Sequence, residues 1–149
     1  WLGDGNNNMS NSFIEAAVKF KFNLNIGCPK KYKPNKKILK WANKNKTNLL
    51  ITENPKIAVK NVDCVMTDKW VSMNDKVNKK VKKNSLRKYQ VNESLMKLAK
   101  PDAIFMHCLP VGRGEEVTDK VIDGKQSVVW RQALNRVHAQ KSIIKWCLD

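Results

Sequence analysis

The chain alternates short apolar runs with amphipathic stretches. Residues 1–3 read as the tail of a strand, and 4–7 as a loop. Residues 8–21 then place Phe13, Ala16, Ala17 and Phe20 on one helical face. A short strand over 24–28 ends at Pro29, and a helix over 34–46 carries Ile38, Leu39, Trp41 and Ala42. Strand 49–52 leads to a short helix from Asn54-Pro55 through Val59, since proline suits a first helical turn. Strand 62–67 is β-branched and apolar. Beyond it lie a Lys-rich helix over 75–89, read as a solvated face, and a helix over 91–99 with Asn92 as N-cap. Strand 103–108, strand 127–130 and a terminal helix over 132–148 complete the pattern.

The strands are continuous apolar runs, without period-two alternation. Strands of that kind alternating with helices predict an α/β doubly wound (Rossmann-like) parallel sheet, helices on both faces, in a single domain. At 149 residues with 42% hydrophobic content, the chain can build one modest core. Mean hydropathy is −0.54, and no apolar run approaches a membrane span. The opening Trp1-Leu2-Gly3-Asp4 has neither a basic nor an apolar leader and reads as a piece of a longer chain.

Charge widens the field of partners before narrowing it. The formal net charge of +16 raises nucleic acid or an anionic surface. Only four of the 29 cations are Arg, however, and the lysines are dispersed without interleaved aromatics, so nucleic acid and membrane are not expected partners. Four cysteines at 28, 64, 108 and 147 form no C-x-x-C pair, which excludes the common zinc and dithiol motifs and suggests reduced thiols in the cytoplasm.

In doubly wound sheets, ligands bind beyond the carboxyl ends of the strands. Four clusters fall there. Gly3-Asp4-Gly5-Asn6-Asn7 departs from G-x-G-x-x-G because Asn8 occupies the third glycine's place. Thr67-Asp68-Lys69-Trp70-Val71-Ser72-Met73 sets Asp68 at a strand end, suited to an ammonium or to a helix cap. His107-Cys108-Leu109-Pro110 offers either a nucleophile or a buried cysteine beside a hydrogen-bonded histidine. Asn135-Arg136-Val137-His138 places Arg136 to clamp an anion or to form a surface ion pair.

Taken in order, these segments resemble the ornithine carbamoyltransferases. Tyr89-Gln90-Val91-Asn92, Arg113-Gly114-Glu115-Glu116-Val117 and Val121-Ile122-Asp123-Gly124 extend the likeness over nearly the whole chain. The resemblance implies a two-domain enzyme that carbamoylates the side-chain amine of L-ornithine, giving citrulline for arginine biosynthesis. This chain would be the carboxyl-terminal, ornithine-binding domain, residues 1–149, lacking most of its first strand. The carbamoyl-phosphate domain, with its Ser-x-Arg-Thr loop, lies outside it. Asn7 would bind the ornithine carboxylate, with help from the Met73 backbone. Asp68 and Ser72 would hold the α-amino group. Cys108 and the Leu109 carbonyl would meet the attacking amine, through a thiolate or the carbonyl, and His107 would be a further substrate-binding residue. Arg136 would reach carbamoyl phosphate. Cys108, Asp68 and Arg136 would be catalytic, and no cofactor or metal is implied. Family members are usually homotrimers assembled mainly through the other domain, so the isolated fragment is expected to be monomeric and inactive.

Three departures from the family pattern stand out: Val111-Gly112 for Ala-His, Asn74 for Gly, and Trp130-Arg131-Gln132-Ala133-Leu134 for an acidic segment. N-acetylornithine or putrescine as substrate, a stand-alone amino-acid-binding module and a basic nucleic-acid binder are the competing readings.

Overall fold

The computed structural model describes residues 1–71 and 78–149. Its elements are α1 (Asn8–Phe20), β1 (Leu24–Gly27), α2 (Lys36–Lys44), β2 (Leu49–Thr52), α3 (Pro55–Val59), β3 (Cys64–Thr67), α4 (Lys79–Leu86), α5 (Glu93–Met96), β4 (Ile104–His107), α6 (Asp119–Ile122) and α7 (Val129–Leu148). Single 3₁₀ turns stand at Lys30–Tyr32 and Arg87–Tyr89.

All strand pairing is parallel. β1 pairs β2 from Leu24↔Leu49 to Gly27↔Thr52, and β3 pairs β4 from Cys64↔Ile104 to Thr67↔His107. Leu2 bridges both Gly27 and Thr67, so the opening residues form the central rung between the two pairs. Leu2 donates its N–H to Met66 and Gly27 donates its own to Trp1. Chain order therefore reverses at the centre of the sheet, which is where a doubly wound fold opens its crevice.

Both faces are covered. On β3 and β4, Val65 and Phe105 enter one core, while Met66 and Met106 point to the other. The first core includes residues of α3, α4, α5, α6 and α7; the second receives Ile14, Ala17 and Val18 of α1 and Ala42 of α2. This two-sided burial explains why the strands read as unbroken apolar runs. The α/β Rossmann-like expectation is met.

Asparagine starts many of the helices. The side chains of Asn7, Asn35, Asn54, Asn78 and Asn92 accept backbone N–H bonds at the starts of α1, α2, α3, α4 and α5.

The expected strand over 127–130 is corrected. Ser127 makes one bridge to Phe105, and Val129 and Trp130 are already helical. After Val128 donates to Phe105, its own carbonyl accepts Gln132 N–H at 2.8 Å, which turns the chain into α7. Helix 91–99 shortens to α5, and α6 was not foreseen. Of helix 75–89, the first three residues lie outside the described ones, and the remainder forms α4 and a 3₁₀ turn. Along α7, Leu134, Ile143, Ile144 and Trp146 are exposed. No helix among the described residues is long and apolar enough to cross a membrane.

Gly27 sits where the central rung crosses α3. A Cβ there would lie 2.6 Å from Leu2 Cδ2 and 2.9 Å from Ala58 Cβ. Gly27→Ala is expected to destabilise the fold by about 1–3 kcal/mol through overpacking, read as a lowered urea midpoint with unchanged slope.

Candidate functional site

Three chain turns converge at the carboxyl ends of the central strands. The first follows the Leu2 rung. Gly3 adopts φ 121°, a backbone state that favours glycine, and lets the chain turn toward α1. Asn7 then caps α1 by accepting Ser10 N–H at 2.7 Å, while its Nδ2 donates to Asp68 Oδ2 at 3.3 Å. The second turn follows β3. Thr67 anchors it by donating its hydroxyl to Leu2 O at 2.8 Å, and Asp68 comes next. The third follows β4, where Cys108 succeeds His107.

Because Thr67 and His107 are register partners, Asp68 and Cys108 emerge side by side. Cys108 Sγ donates to Asp68 Oδ1 at 3.1 Å, and the same oxygen accepts Lys69 N–H at 2.7 Å. Asp68 thus receives Asn7 on one oxygen and Cys108 on the other, and all three residues are half-buried. Burial, followed by the Asp68 hydrogen bond and charge, pushes the Cys108 thiol up to about 12. The expectation of a thiolate is therefore corrected: in the unliganded chain Cys108 is a thiol donor. Arg136 on α7 opposes this shift electrostatically; it is exposed and has no ion-pair partner among the described residues.

His107 is placed differently from a substrate contact. Its side chain is fully buried, with Nδ1 accepting Leu109 N–H at 2.9 Å and Nε2 lying 3.3 Å from Glu116 Oε1. Leu109 itself has φ 54°. Ser72 and Met73 lie outside the described residues.

Asp68, His107 and Cys108 offer ligand atoms within 4.8 Å of one another, the one grouping of its kind among the described residues. Asp68 and Cys108 are bonded to each other and His107 Nδ1 accepts Leu109 N–H, so a metal would have to displace those contacts. A groove of about 630 Å³ between α1 and α2, lined by Phe20, Ile38 and Trp41, includes none of these groups.

Two groups near the site escaped the sequence reading. Lys82, in the stretch read as a solvated lysine face, is buried and pairs with buried Asp4 at 2.7 Å. It also lies 5.6 Å from the Tyr32 ring centroid. Asp4 in turn accepts Asn6 N–H at 2.8 Å, so the pair braces the turn that carries Asn7. Five lysines of 79–88 look alike in sequence, and only the tertiary contact distinguishes one. Glu116 stood within a motif but carried no signal of burial; it is 0% exposed.

These contacts set the thiol's reactivity. Iodoacetamide at pH 8 should modify exposed Cys147 well before Cys108. Asp68→Asn removes the neighbouring charge, lowers the Cys108 pKa and accelerates its alkylation, followed by peptide mass mapping. Equal rates at Cys108 and Cys147 in the unsubstituted chain would contradict the assignment.

Comparison with known proteins identifies the family. The family described as "Aspartate/ornithine carbamoyltransferase, Asp/Orn binding domain" matches residues 1–147. The ornithine carbamoyltransferase of Nitrobacter winogradskyi is 52% identical over 148 residues, 99% of this chain and 47% of the relative. That of Brucella abortus is 50% identical over 149 residues, 100% of this chain and 47% of the relative. Among solved structures, the Pyrococcus furiosus ornithine carbamoyltransferase superposes with TM-score 0.87 at 43% identity, covering 96% of this chain and 47% of that one. The Campylobacter jejuni anabolic enzyme gives 0.88 at 33% identity, covering 97% and 49%. The chain spans about half the length of the curated relatives it matches. With its switch-point site and a family match over nearly every residue, the chain belongs to the aspartate/ornithine carbamoyltransferase family, as an Asp/Orn-binding domain.

Proposed function

We propose that this domain is the L-ornithine-binding half of an ornithine carbamoyltransferase acting in the cytoplasm in arginine biosynthesis. One observation carries the reading: a half-buried carboxylate, Asp68, flanked by an amide on one oxygen and a thiol on the other, at the sheet's switch point.

The reaction joins a neutral amine to the carbamoyl carbon of carbamoyl phosphate. A C–N bond forms, the C–O bond to phosphate breaks, one amine proton is lost, and inorganic phosphate leaves. In this reading Asp68, with Ser72, pairs with the α-ammonium, and Asn7 with the Met73 backbone takes the carboxylate. Fixing that end aims the side-chain amine, and such positioning supplies several kcal/mol of barrier reduction. An ammonium that claims Asp68 frees the Cys108 sulfur to accept from the attacking amine beside the Leu109 carbonyl. Arg136, exposed and without an ion-pair partner among the described residues, reaches carbamoyl phosphate and stabilises developing charge. Carbamoyl phosphate is held mainly by a second domain outside these 149 residues, which also covers the exposed Ile143, Ile144 and Trp146.

The decisive assay is citrulline formation by the full-length chain, compared with N-acetylornithine, putrescine and aspartate as acceptors. Ornithine is expected to be preferred, and preference for any other acceptor would overturn the substrate assignment. Asp68→Asn should raise KM for ornithine by about tenfold to a hundredfold, the worth of a charge-assisted hydrogen bond, with a smaller effect on carbamoyl phosphate.

An alkylamine titrates near 10, so kcat/KM for ornithine should rise about tenfold per pH unit between pH 6 and 8. Cys108, pushed up to about 12, adds no inflection there. The 149-residue chain alone should form no citrulline and run as a monomer in light scattering. Citrulline from the fragment, or a trimeric mass, would contradict the division of labour.

A further inference from the structure

The Cys108–Leu109 turn is held from behind by two buried groups that the reaction itself does not require. Leu109 has φ 54°, a left-handed conformation that disfavours side-chain-bearing residues. Such strain persists only where the surroundings over-determine it. The contact that pins it is Leu109 N–H to His107 Nδ1 at 2.9 Å. For Nδ1 to accept, the imidazole proton must reside on Nε2. Nε2 has no aligned hydrogen-bond partner, and Glu116 Oε1 lies 3.3 Å from it. Both side chains are 0% exposed, so water offers neither an alternative.

Glu116 is itself fixed. Its backbone carbonyl accepts Val91 N–H at 2.9 Å, and the next residue, Val117, bridges to both Val91 and Arg113. Its Oε1 accepts Gly112 N–H. Oε2 is buried without a partner, and the Gly112 N–H bond to Oε1 holds the carboxylate beside the histidine. A side chain at position 112 would crowd this group: a Cβ there would meet Oε2 at 2.7 Å.

We propose that Glu116 is a positioning residue that acts through His107. Its carboxylate holds the Nε2–H tautomer, leaving Nδ1 to anchor Leu109 N–H, and so fixes the turn that aims the Leu109 carbonyl and the Cys108 thiol at the reacting amine. Neither Glu116 nor His107 touches substrate. The role of the turn rests on the proposed ornithine carbamoylation; the tautomer does not.

The test uses the full-length chain and four variants. Glu116→Gln keeps an acceptor of the same shape and is expected to keep kcat within about threefold. Glu116→Leu removes the acceptor at similar volume and should lower kcat by about tenfold to a hundredfold, leaving KM for carbamoyl phosphate unchanged. Should Glu116→Leu fail to fold, the histidine pair decides. His107→Asn places an amide oxygen where Nδ1 stood and should retain most of kcat. His107→Gln puts its amide at the Nε2 position and should fall as Glu116→Leu does. Equal activity of the Asn and Gln variants would overturn the proposal. So would an active, folded Glu116→Leu with unchanged kcat.

A readout independent of activity is the imidazole tautomer, from long-range ¹⁵N–¹H correlation spectra of His107. The proposal requires Nε2–H in the unsubstituted protein and in Glu116→Gln, and loss of that single tautomer in Glu116→Leu. An Nδ1–H histidine would refute it even in an active enzyme. A protein with the Nε2–H tautomer but no ornithine carbamoylation would instead refute the functional reading and leave the tautomer assignment standing.

Discussion

The parallel register of β3 and β4 is the constraint on which the site depends. Thr67 lies opposite His107, so the residues that leave the sheet next, Asp68 and Cys108, must leave together. No long-range search is needed to bring carboxylate and thiol within 3.1 Å; the ladder does it. The Leu2 rung adds the third turn, because Leu2 bridges β1 and β3 and its carbonyl receives the Thr67 hydroxyl. A one-residue slip between β3 and β4 would reverse which side chains face each core and separate Asp68 from Cys108.

Around this arrangement the molecule keeps several polar groups out of water. Lys82 with Asp4, and His107 with Glu116, sit behind the Asn7 and Leu109 turns respectively. A buried polar or ionic pair contributes little net stability, but removing one partner leaves the other uncompensated and is costly. Such pairs therefore hold geometry more than they add stability. That suits a site whose task is to orient an amino acid within a fraction of an ångström. The high net positive charge is largely separate from this, carried by exposed lysines on several elements.

Much of this was legible in sequence. Continuous apolar runs imply a sheet buried on both sides, and the strand ends place Asp68 and Cys108 at its carboxyl edge. Asn92 was recognisable as a cap. The failures have physical causes. Val128–Trp130 has strand-like composition, yet the chain needs only one bridge there before Gln132 binds Val128 O and α7 begins. Lys82 is indistinguishable from its neighbours along the chain, because its burial arises from Asp4 and Tyr32, both far away in sequence. The state of Cys108 depends on the fold: burial first, and then Asp68 bonded to the sulfur, raise its pKa. Ser72 and Met73 lie outside the described residues, so their part in the site rests on resemblance.

The central claim is that the switch point formed by Asn7, Asp68 and Cys108 receives the amino acid. A titration of the ¹⁵N-labelled chain with L-ornithine, followed by backbone amide shifts, tests it most directly. Saturable changes centred on Asn7, Lys69, Cys108 and Leu109 are predicted. Changes centred instead on Phe20, Ile38 and Trp41 in the groove between α1 and α2, or none at saturating ornithine, would contradict it.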